Sequence, residues 1–421
     1  MGWRRRLSIS RPPVRQCGEA VNVLMLAPEP FFEPRGTPIS VYLRLQQLSR
    51  LGHEVAVLTY HLGQGIELPG VRLYRIPNIR LIPEVKAGPS WAKPLLDAML
   101  FALAVKHLLT AKYQVIHTHE EAAMFGMLLA ALFRKPHIYD MHSSLPRQLE
   151  NFRFGNWWPL VKAFELLERW VLRTCYAVIT VGADLEQIVR RVKPEARLVR
   201  LENLPVHACG IRLSPEAVAA VRSRLPLAER LCIVYTGTFE PYQGLDLLLD
   251  SAKIVASHEP AALFIWVGGR PDQVRYWRDQ VEANDLQNHV LLVGAVPLTE
   301  SLAYLETADI LVSPRRDGTS IPLKIYTYLQ AGKPVVATRS CAHTQVLSAA
   351  TAVLVEPTPE ALAAGILRLA GDPALRQALG AQARALALEK FRLGEQLDRL
   401  ADLYRPLEVA AGRAPANPSA R

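Results

Sequence analysis

Cysteine is scarce in this sequence and shows no metal-binding or redox spacing. The five cysteines include no CxxC pair and do not form an even set; they are Cys17, Cys175, Cys209, Cys232 and Cys341. We therefore expect reduced thiols that mostly fill the core of a cytosolic protein.

Long apolar runs are also lacking. The longest uncharged apolar stretch, residues 122–133, is too short to cross a bilayer, and no apolar run follows the arginines of the N-terminal MGWRRRLSISRPPVRQ. We predict neither a membrane span nor a signal peptide. The net charge of +10 favours an anionic partner, which leaves nucleotide phosphates, nucleic acid and an anionic membrane surface open.

Strand-like apolar runs alternate with helical segments twice along the chain. The first set lies at 21–28, 53–60, 71–76, 113–119, 137–142, 177–182 and 196–203, and the second at 231–237, 262–269, 289–294, 308–314, 333–339 and 351–357. This alternation predicts an α/β fold with two Rossmann-like, doubly wound parallel sheets.

Composition changes suggest four parts of the chain. We predict a basic tail at 1–20, a first domain at 21–205, a second domain at 206–408 with a closing C-terminal helix, and a disordered tail at 409–421. The helical pattern of the last ordered segment runs from Pro373 to about Tyr404.

Two loops that follow strands lead into helices with recognisable starts. In the first, Thr37 is suited to cap a helix and Pro38 to occupy its first turn, with an end near Gly52. In the second, Ser320 is the predicted cap, Pro322 lies in the first turn, and Gly332 ends the helix.

The second of these loops has the features of an anion site. The backbone amides of Gly318, Thr319 and Ser320 would point out of a helix N-terminus. Lys324 would add a full positive charge, and Arg315 and Arg316 flank the loop. The alternative is an ordinary loop before a capped helix.

The segment SPRRDGTSIPLKIYTYLQAGKPVVAT, residues 313–338, resembles the signature of GT-B glycosyltransferases of family 4, also called glycosyl transferases group 1. Matching pieces occur in order at 35–59, 235–251, 265–271 and 291–314, so the resemblance spans about Val21 to Tyr404. It implies two Rossmann-like domains facing a central cleft. It also implies sugar transfer from a UDP- or GDP-sugar, with retention, to a glycan, lipid-linked or small-molecule acceptor.

The resemblance also implies site residues on the donor side. Gly36 would approach the donor diphosphate, and Gly237 begins the corresponding loop of the second domain. Thr238 and Gln243 stand where family members often carry Arg and Lys, and Thr327 stands where a carboxylate usually binds the ribose. Family members often carry two carboxylates in this segment, and the first of them aligns near Asp317 or Thr319. We take Asp317 as a catalytic candidate and Arg316 as a donor contact.

The first half supplies the remaining candidates. His142 stands where the family places a histidine that contacts the donor sugar; the alternative is a structural histidine, and Asp140 and Ser143 are weaker candidates. Glu120 and Glu121 follow a strand and would orient or deprotonate an acceptor hydroxyl, or simply begin the next helix.

We predict no metal and no cofactor. His117 and His119 share one face of a strand but lack an evident third ligand, and no DxD triplet occurs. The basic and aromatic segment Arg147–Arg173 fits peripheral contact with a membrane or a lipid-linked acceptor, or else a solvated helix face. No nucleic-acid-binding module is evident. The rival hypotheses are a binding-only relative that has lost catalysis, a sugar-nucleotide epimerase, or a phosphorylase-like enzyme of similar architecture.

Overall fold

A computed structural model describes residues 19–33, 36–85, 92–147, 158–206, 213–227, 229–316 and 321–412. These residues divide into two compact units. One lies within Asn203–Arg392, and the other combines parts of Arg11–Glu202 with the C-terminal segment that starts at Leu393. Each unit has its own parallel sheet and its own buried apolar core.

The N-terminal unit is built on a seven-stranded parallel sheet of order β3-β2-β1-β4-β5-β6-β7. Its strands are β1 (Asn22–Ala27), β2 (Glu54–Thr59), β3 (Val71–Arg75), β4 (Val115–His119), β5 (His137–Met141), β6 (Ala177–Thr180) and β7 (Leu198–Arg200). The central strands are buried along almost their whole length because helices cover both faces of such a sheet.

The helices of this unit connect successive strands. They are α1 (Gly36–Arg50), α2 (Lys93–Thr110), α3 (Ala122–Phe133), α4 (Trp158–Thr174) and α5 (Ala183–Val192). Within the described residues, no helix is both long and apolar enough to span a membrane.

The C-terminal unit repeats the plan with a six-stranded parallel sheet of order β10-β9-β8-β11-β12-β13. Its strands are β8 (Leu231–Thr236), β9 (Ala262–Val267), β10 (Val290–Gly294), β11 (Ile310–Ser313), β12 (Val335–Thr338) and β13 (Val353–Val355). The two sheets confirm the predicted fold class, and every predicted strand is present with ends shifted by a few residues.

The helices of the C-terminal unit follow the same alternation. They are α6 (Pro215–Arg222), α7 (Leu245–His258), α8 (Pro271–Glu282), α9 (Leu298–Thr307), α10 (Leu323–Ala331), α11 (Cys341–Thr344), α12 (Pro359–Gly371) and α13 (Pro373–Lys390). The start of α12 follows from its local sequence. The Thr358 side chain accepts a hydrogen bond from Ala361 N and so caps the helix, whose first turn begins with Pro359.

The C-terminal end differs from the sequence prediction. The segment predicted as helical from Pro373 to about Tyr404 consists of two helices, α13 and, after a break at Phe391, α14 (Leu393–Gly412). The helix α14 packs within the N-terminal unit because Gln396 bonds Gln47 and Tyr404 stacks on His53. It also continues to Gly412, so the predicted disorder is wrong for residues 409–412; residues 413–421 lie outside the described residues.

Two predicted helix starts are also shifted. The helix α1 begins at Gly36, which places Thr37 inside the first turn instead of at the cap. Pro322, predicted for the first turn, occupies the cap position of α10 with an extended ψ of 132°, so the helix begins two residues later than predicted from a cap at Ser320. Proline cannot donate a backbone hydrogen bond and has a fixed φ, so it suits a helix boundary as well as a first turn. Gly332 ends α10 with a φ of 68°, as predicted.

Candidate active site

The donor-side candidates of the C-terminal unit lie where its strand order reverses. The neighbouring strands β8 and β11 lead to helices on either side of the sheet, and ligands bind at such a point in open α/β sheets. Gly237 follows β8, and Arg315 and Arg316 follow β11. The tertiary structure therefore brings these two predicted loops to one edge of the sheet.

Lys324 lies against Gly237. Its Nζ is 3.9 Å from the centroid of the Tyr235 ring, a cation–π geometry. A Cβ built on Gly237 would lie 3.0 Å from the same Nζ, and the φ of Gly237 is +146°. Glycine is therefore required here both by the backbone conformation and by the position of the lysine.

Gln243 links Lys324 to the loop after β8. Its Oε1 accepts a hydrogen bond from Lys324 Nζ at 3.1 Å, and its Nε2 lies 3.4 Å from the Thr238 hydroxyl. The two residues that replace the family's cations are thus part of the lysine's immediate surroundings. They offer neutral hydrogen-bonding groups where charges are usual.

Burial and a neighbouring charge both act on the pKa of Lys324. Burial lowers the pKa of Lys324 well below its usual value, and the positive charge of Arg315 lowers that pKa further. Burial of Lys324 therefore opposes the full positive charge that we predicted for it. An anion next to Nζ would reverse this, because an opposite charge favours the protonated form.

The two arginines of the β11 loop have different environments. Arg316 is exposed and forms an ion pair with Asp246 at 3.1 Å, at the start of α7. The Arg315 guanidinium lies 5.1 Å from the centroid of the Tyr242 ring, and its carbonyl accepts a hydrogen bond from Thr338. Of the two, Arg315 is the one that acts electrostatically on Lys324.

The remaining donor-side predictions have mixed outcomes. Asp317, Gly318, Thr319 and Ser320 lie outside the described residues. Thr327 lies on α10, one turn from Lys324, with only 5% of its surface exposed. A Cβ at Gly36 would meet no atom within 4 Å, so the described protein surroundings do not require glycine there.

His142 of the N-terminal unit belongs to a buried polar cluster. Its Nε2 lies 3.0 Å from Nδ1 of His119 and 3.5 Å from Oδ1 of Asp140. Asp140 in turn accepts a hydrogen bond from Arg44 Nε at 2.7 Å. Strand pairing explains the cluster, because β4 and β5 align His119 with Asp140.

Charge in this cluster is confined to the Arg44–Asp140 pair. Burial lowers the pKa of His142 and that of His119, although the nearby Asp140 opposes the effect. The pKa of Asp140 is held well below its usual value; burial opposes this, but Arg44 and the histidines overcome it. The histidines are therefore neutral at pH 7 and Asp140 is ionised.

We predicted that His117 and His119 lack a third metal ligand nearby, and the structure shows that this is wrong. Asp140 brings a carboxylate oxygen within 4.8 Å of both imidazoles, because β5 pairs with β4. The guanidinium of Arg44 already occupies Asp140 Oδ2, and its positive charge opposes a cation at that place.

Glu120 and Glu121 lie at the end of β4 and have different partners. Glu120 is buried, has a φ of 49°, and accepts a hydrogen bond from Ser143 at 2.9 Å. Glu121 is bound by Lys93 at 2.5 Å. A left-handed backbone at a non-glycine residue is uncommon and occurs often at functional sites, which makes Glu120 the stronger candidate of the two.

Comparison with known families matches both halves of the chain. Residues 34–203 match the model described as Glycosyltransferase Family 4, and residues 230–372 match the model described as Glycosyl transferases group 1. The chain belongs to glycosyltransferase family 4. This glycosyltransferase has the two-sheet α/β architecture of the GT-B fold, and the predicted enzyme class is confirmed.

Individual relatives agree with this assignment. The glycosyltransferase is 24% identical to a phosphatidyl-myo-inositol mannosyltransferase of Mycolicibacterium smegmatis, over 86% of this chain and 88% of that protein. It is 30% identical to a GDP-mannose-dependent alpha-(1-6)-phosphatidylinositol monomannoside mannosyltransferase of the same organism, over 48% of this chain and 56% of that protein. A sucrose-phosphate synthase structure from Thermosynechococcus elongatus shares the fold, with a TM-score of 0.75, 20% identity, and coverage of 94% of this chain and all of that chain.

Sequence reasoning about this glycosyltransferase missed three groups: the Tyr235 ring under Lys324, the Arg44 partner of Asp140, and the His119 contact with His142. The sequence contained one indication of the contact between His119 and His142. His119 and His142 both lie at carboxyl ends of predicted strands, and neighbouring parallel strands bring such ends together. Nothing in the sequence alone shows that β4 and β5 are neighbours.

Proposed function

We propose that this enzyme transfers a sugar from a UDP- or GDP-sugar to a lipid-linked acceptor at a membrane surface, with retention and without a divalent cation. The observation that carries the proposal is a basic and aromatic face on α4. Five of its exposed residues are cationic or large and apolar and recur with helical spacing; they are Lys162, Leu166, Arg169, Trp170 and Arg173. Leu166 is 66% exposed and Trp170 is 61% exposed.

Such a face suits an anionic membrane. Apolar side chains enter the boundary between headgroups and acyl chains, and cations attract anionic lipids. The neighbouring helix α3 adds exposed Leu128 and Leu132, four residues apart on its outer side. The two mannosyltransferases reported above are named for phosphatidylinositol-based acceptors, which supports the same class of acceptor here.

The donor side supports a diphosphate ligand. Lys324 lies beside Gly237, where the backbone leaves room, and Arg315 adds a second positive charge nearby. In the proposed reaction these cations stabilise the charge that develops on the leaving diphosphate, a task that a metal ion performs in other enzymes. His142 contacts the donor sugar or the departing phosphate.

Nothing in the comparisons supports the epimerase or the phosphorylase-like alternative. The family models describe glycosyltransferases in both halves of the chain. The hydrogen bonds that join Lys324 to Gln243, and Gln243 to Thr238, support a donor site with neutral groups at these two positions over a relative that has lost the site.

A thermal-shift screen against UDP, GDP, ADP and their sugars tests the donor. One nucleotide family should stabilise the protein; at 100 times its Kd a ligand adds about 2.7 kcal/mol. The effect should disappear in Lys324→Ala and persist in Lys253→Ala, which removes an exposed lysine from α7. No shift with any nucleotide would refute the donor proposal.

A transfer assay tests the acceptor and the mechanism. Radiolabelled UDP-glucose and GDP-mannose are incubated with vesicles that contain phosphatidylinositol, with and without EDTA. We expect label to enter the organic phase at the same rate in both cases, and NMR of the product should show the donor's anomeric configuration. Transfer only to water-soluble sugars would reject the lipid acceptor; loss of activity in EDTA would reject metal independence.

A further inference from the structure

Three imidazoles form a stacked row inside the N-terminal unit. The ring centroids of His117 and His119 are 5.2 Å apart with 21° between planes, and those of His119 and His142 repeat both values. The first two rings are fully buried and His142 is 8% exposed. Of the three rings, only His142, which follows the end of β5, is therefore partly exposed.

The nitrogens of the last two rings have different partners. His119 Nδ1 faces His142 Nε2 at 3.0 Å, within hydrogen-bond distance. His119 Nε2 is buried and has no hydrogen-bond partner in the described part of the chain. His142 Nδ1 makes no hydrogen bond to any described residue.

Counting protons distinguishes two arrangements of this pair. Both rings are neutral because burial lowers the pKa of each, so one proton lies between the facing nitrogens. If His142 donates it, His119 must carry its own proton on Nε2, where a buried N–H stays unpaired. If His119 donates it, the unpaired Nε2 is only a lone pair. A buried donor without a partner is the rarer and more costly state.

Asp140 and Tyr404 engage other atoms of the cluster more closely than they engage the His119–His142 pair. Asp140 Oδ1 is 3.5 Å from His142 Nε2, longer than a normal N–H···O bond, and Asp140 Oδ2 accepts from Arg44. The Tyr404 hydroxyl lies 2.7 Å from His117 Nδ1, and His117 Nε2 stands 3.5 Å from Asp140 Oδ2.

We propose that His119 is a positioning residue that holds His142 in the Nδ1–H tautomer, so that His142 donates a hydrogen bond to the donor substrate and does not act as a base. The inference rests on the proposed function for the role of His142. It assigns to His119 a task that depends on one nitrogen, Nδ1, and not on the size of its ring.

NMR of protein labelled with ¹⁵N-histidine tests the tautomer directly. We expect the Nδ1 signal of His142 to be that of a protonated nitrogen and the Nε2 signal to be that of an unprotonated one. The reverse pattern would overturn the inference, whatever the activity of the enzyme.

Two substitutions separate positioning from packing. In His119→Asn the side-chain amide nitrogen stands close to Nδ1 and keeps the donor; in His119→Phe the ring remains and the donor is lost. We expect kcat to fall about tenfold in the Phe variant and to stay within about threefold in the Asn variant, with the Kd for the free nucleoside diphosphate unchanged in both. Equal activity of the two variants would overturn the inference.

Failure of the inference and failure of the proposed function give different results. A wild-type enzyme that neither binds nucleotides nor transfers sugar refutes the proposed function. An active enzyme whose His142 carries its proton on Nε2 overturns the inference alone. If the Phe variant does not fold, the wild-type NMR measurement and the Asn variant still decide the question.

Discussion

Arg44 and Asp140 form a buried ion pair in which Arg44 Nε donates to Asp140 Oδ2 at 2.7 Å, with side-chain exposures of 5% and 0%. The pair joins α1 to β5 and supports the ring of His142. Arg44 also donates to Gln47, which bonds Gln396 of α14, so the pair is part of a wider polar network.

We expect Asp140→Asn to lower the free energy of unfolding by about 3–5 kcal/mol, because it leaves the Arg44 charge buried without a counter-charge. Urea denaturation measures the loss. Glu54→Gln is the control: it breaks an exposed pair with Arg72, which at 4.0 Å should change stability by less than about 1 kcal/mol. Equal losses in the two variants would show that the buried pair has no special role.

Gly237→Ala should damage the proposed donor site. The new Cβ would stand 3.0 Å from Lys324 Nζ on a backbone with φ of +146°, which L-residues rarely adopt. We expect a stability loss of about 1–3 kcal/mol and weaker nucleotide binding, measured by thermal shift and calorimetry. Gly371→Ala is the control, because a Cβ there meets nothing within 4 Å; it should change neither stability nor nucleotide binding. A Gly237→Ala protein with wild-type nucleotide affinity would contradict the assigned position of Lys324.

Nucleotide-sugar binding should take up a proton. The pKa of free Lys324 is lowered by burial and by Arg315, and a bound diphosphate raises it again. Affinity for a UDP- or GDP-sugar should therefore fall as pH rises through the lowered pKa of the free enzyme. Calorimetry in buffers of different ionisation enthalpy measures the proton count. The dependence should vanish in Lys324→Met; its persistence there would assign the proton to another group.

His343 should make the C-terminal unit sensitive to acid. Burial lowers its pKa to about 4, and its ring bridges Thr338 O and Ser313 Oγ at 2.8 and 2.9 Å. The unfolded chain binds the proton near pH 6.5, so stability is greatest above that pH and falls as pH drops toward 4, by about 2 kcal/mol at pH 5. Urea unfolding at pH 5 and 7 measures this. In His343→Gln the difference should shrink, and an unchanged difference would assign the acid sensitivity elsewhere.

Membrane binding should depend on the exposed face of α4. Replacing Leu166 and Trp170 together by Ser should weaken co-sedimentation with vesicles that contain phosphatidylinositol at least tenfold, because two large apolar side chains no longer enter the lipid. The control is the pair Tyr276→Ser and Leu388→Ser, which removes exposed apolar side chains from the C-terminal unit. Equal effects of the two double variants would reject α4 as the contact.

Local sequence patterns predicted the strands and most helix ends because they depend on short-range chemistry. The run LCIVYTG predicts β8, and Gly332 ends α10 because glycine tolerates the left-handed conformation found there. The shift at Pro322 is also local: proline fits both a cap and a first turn, so the sequence alone does not choose between them.

The candidate site was predicted less completely. Lys324, Gly237 and Gln243 were identified as site residues, and the structure places them in contact. The charge of Lys324 was not predictable, because a pKa depends on burial and on neighbours such as Arg315 that approach only in the folded chain. The last helix was assigned to the wrong domain for the same reason. The amphipathic pattern of α14 predicts that one face is buried, but it does not predict which surface that face packs against.

The sequence by itself determined the α/β class, the two sets of alternating strands and helices, and the enzyme family. These depend on the periodicity of apolar residues and on the 313–338 signature, which involve residues close together along the chain. Only the tertiary structure decided which strands are neighbours, and hence that Asp140 meets Arg44 and that His142 meets His119. Those pairs are separated by many residues along the chain, and contacts of that kind follow from strand order and packing, which no local pattern specifies.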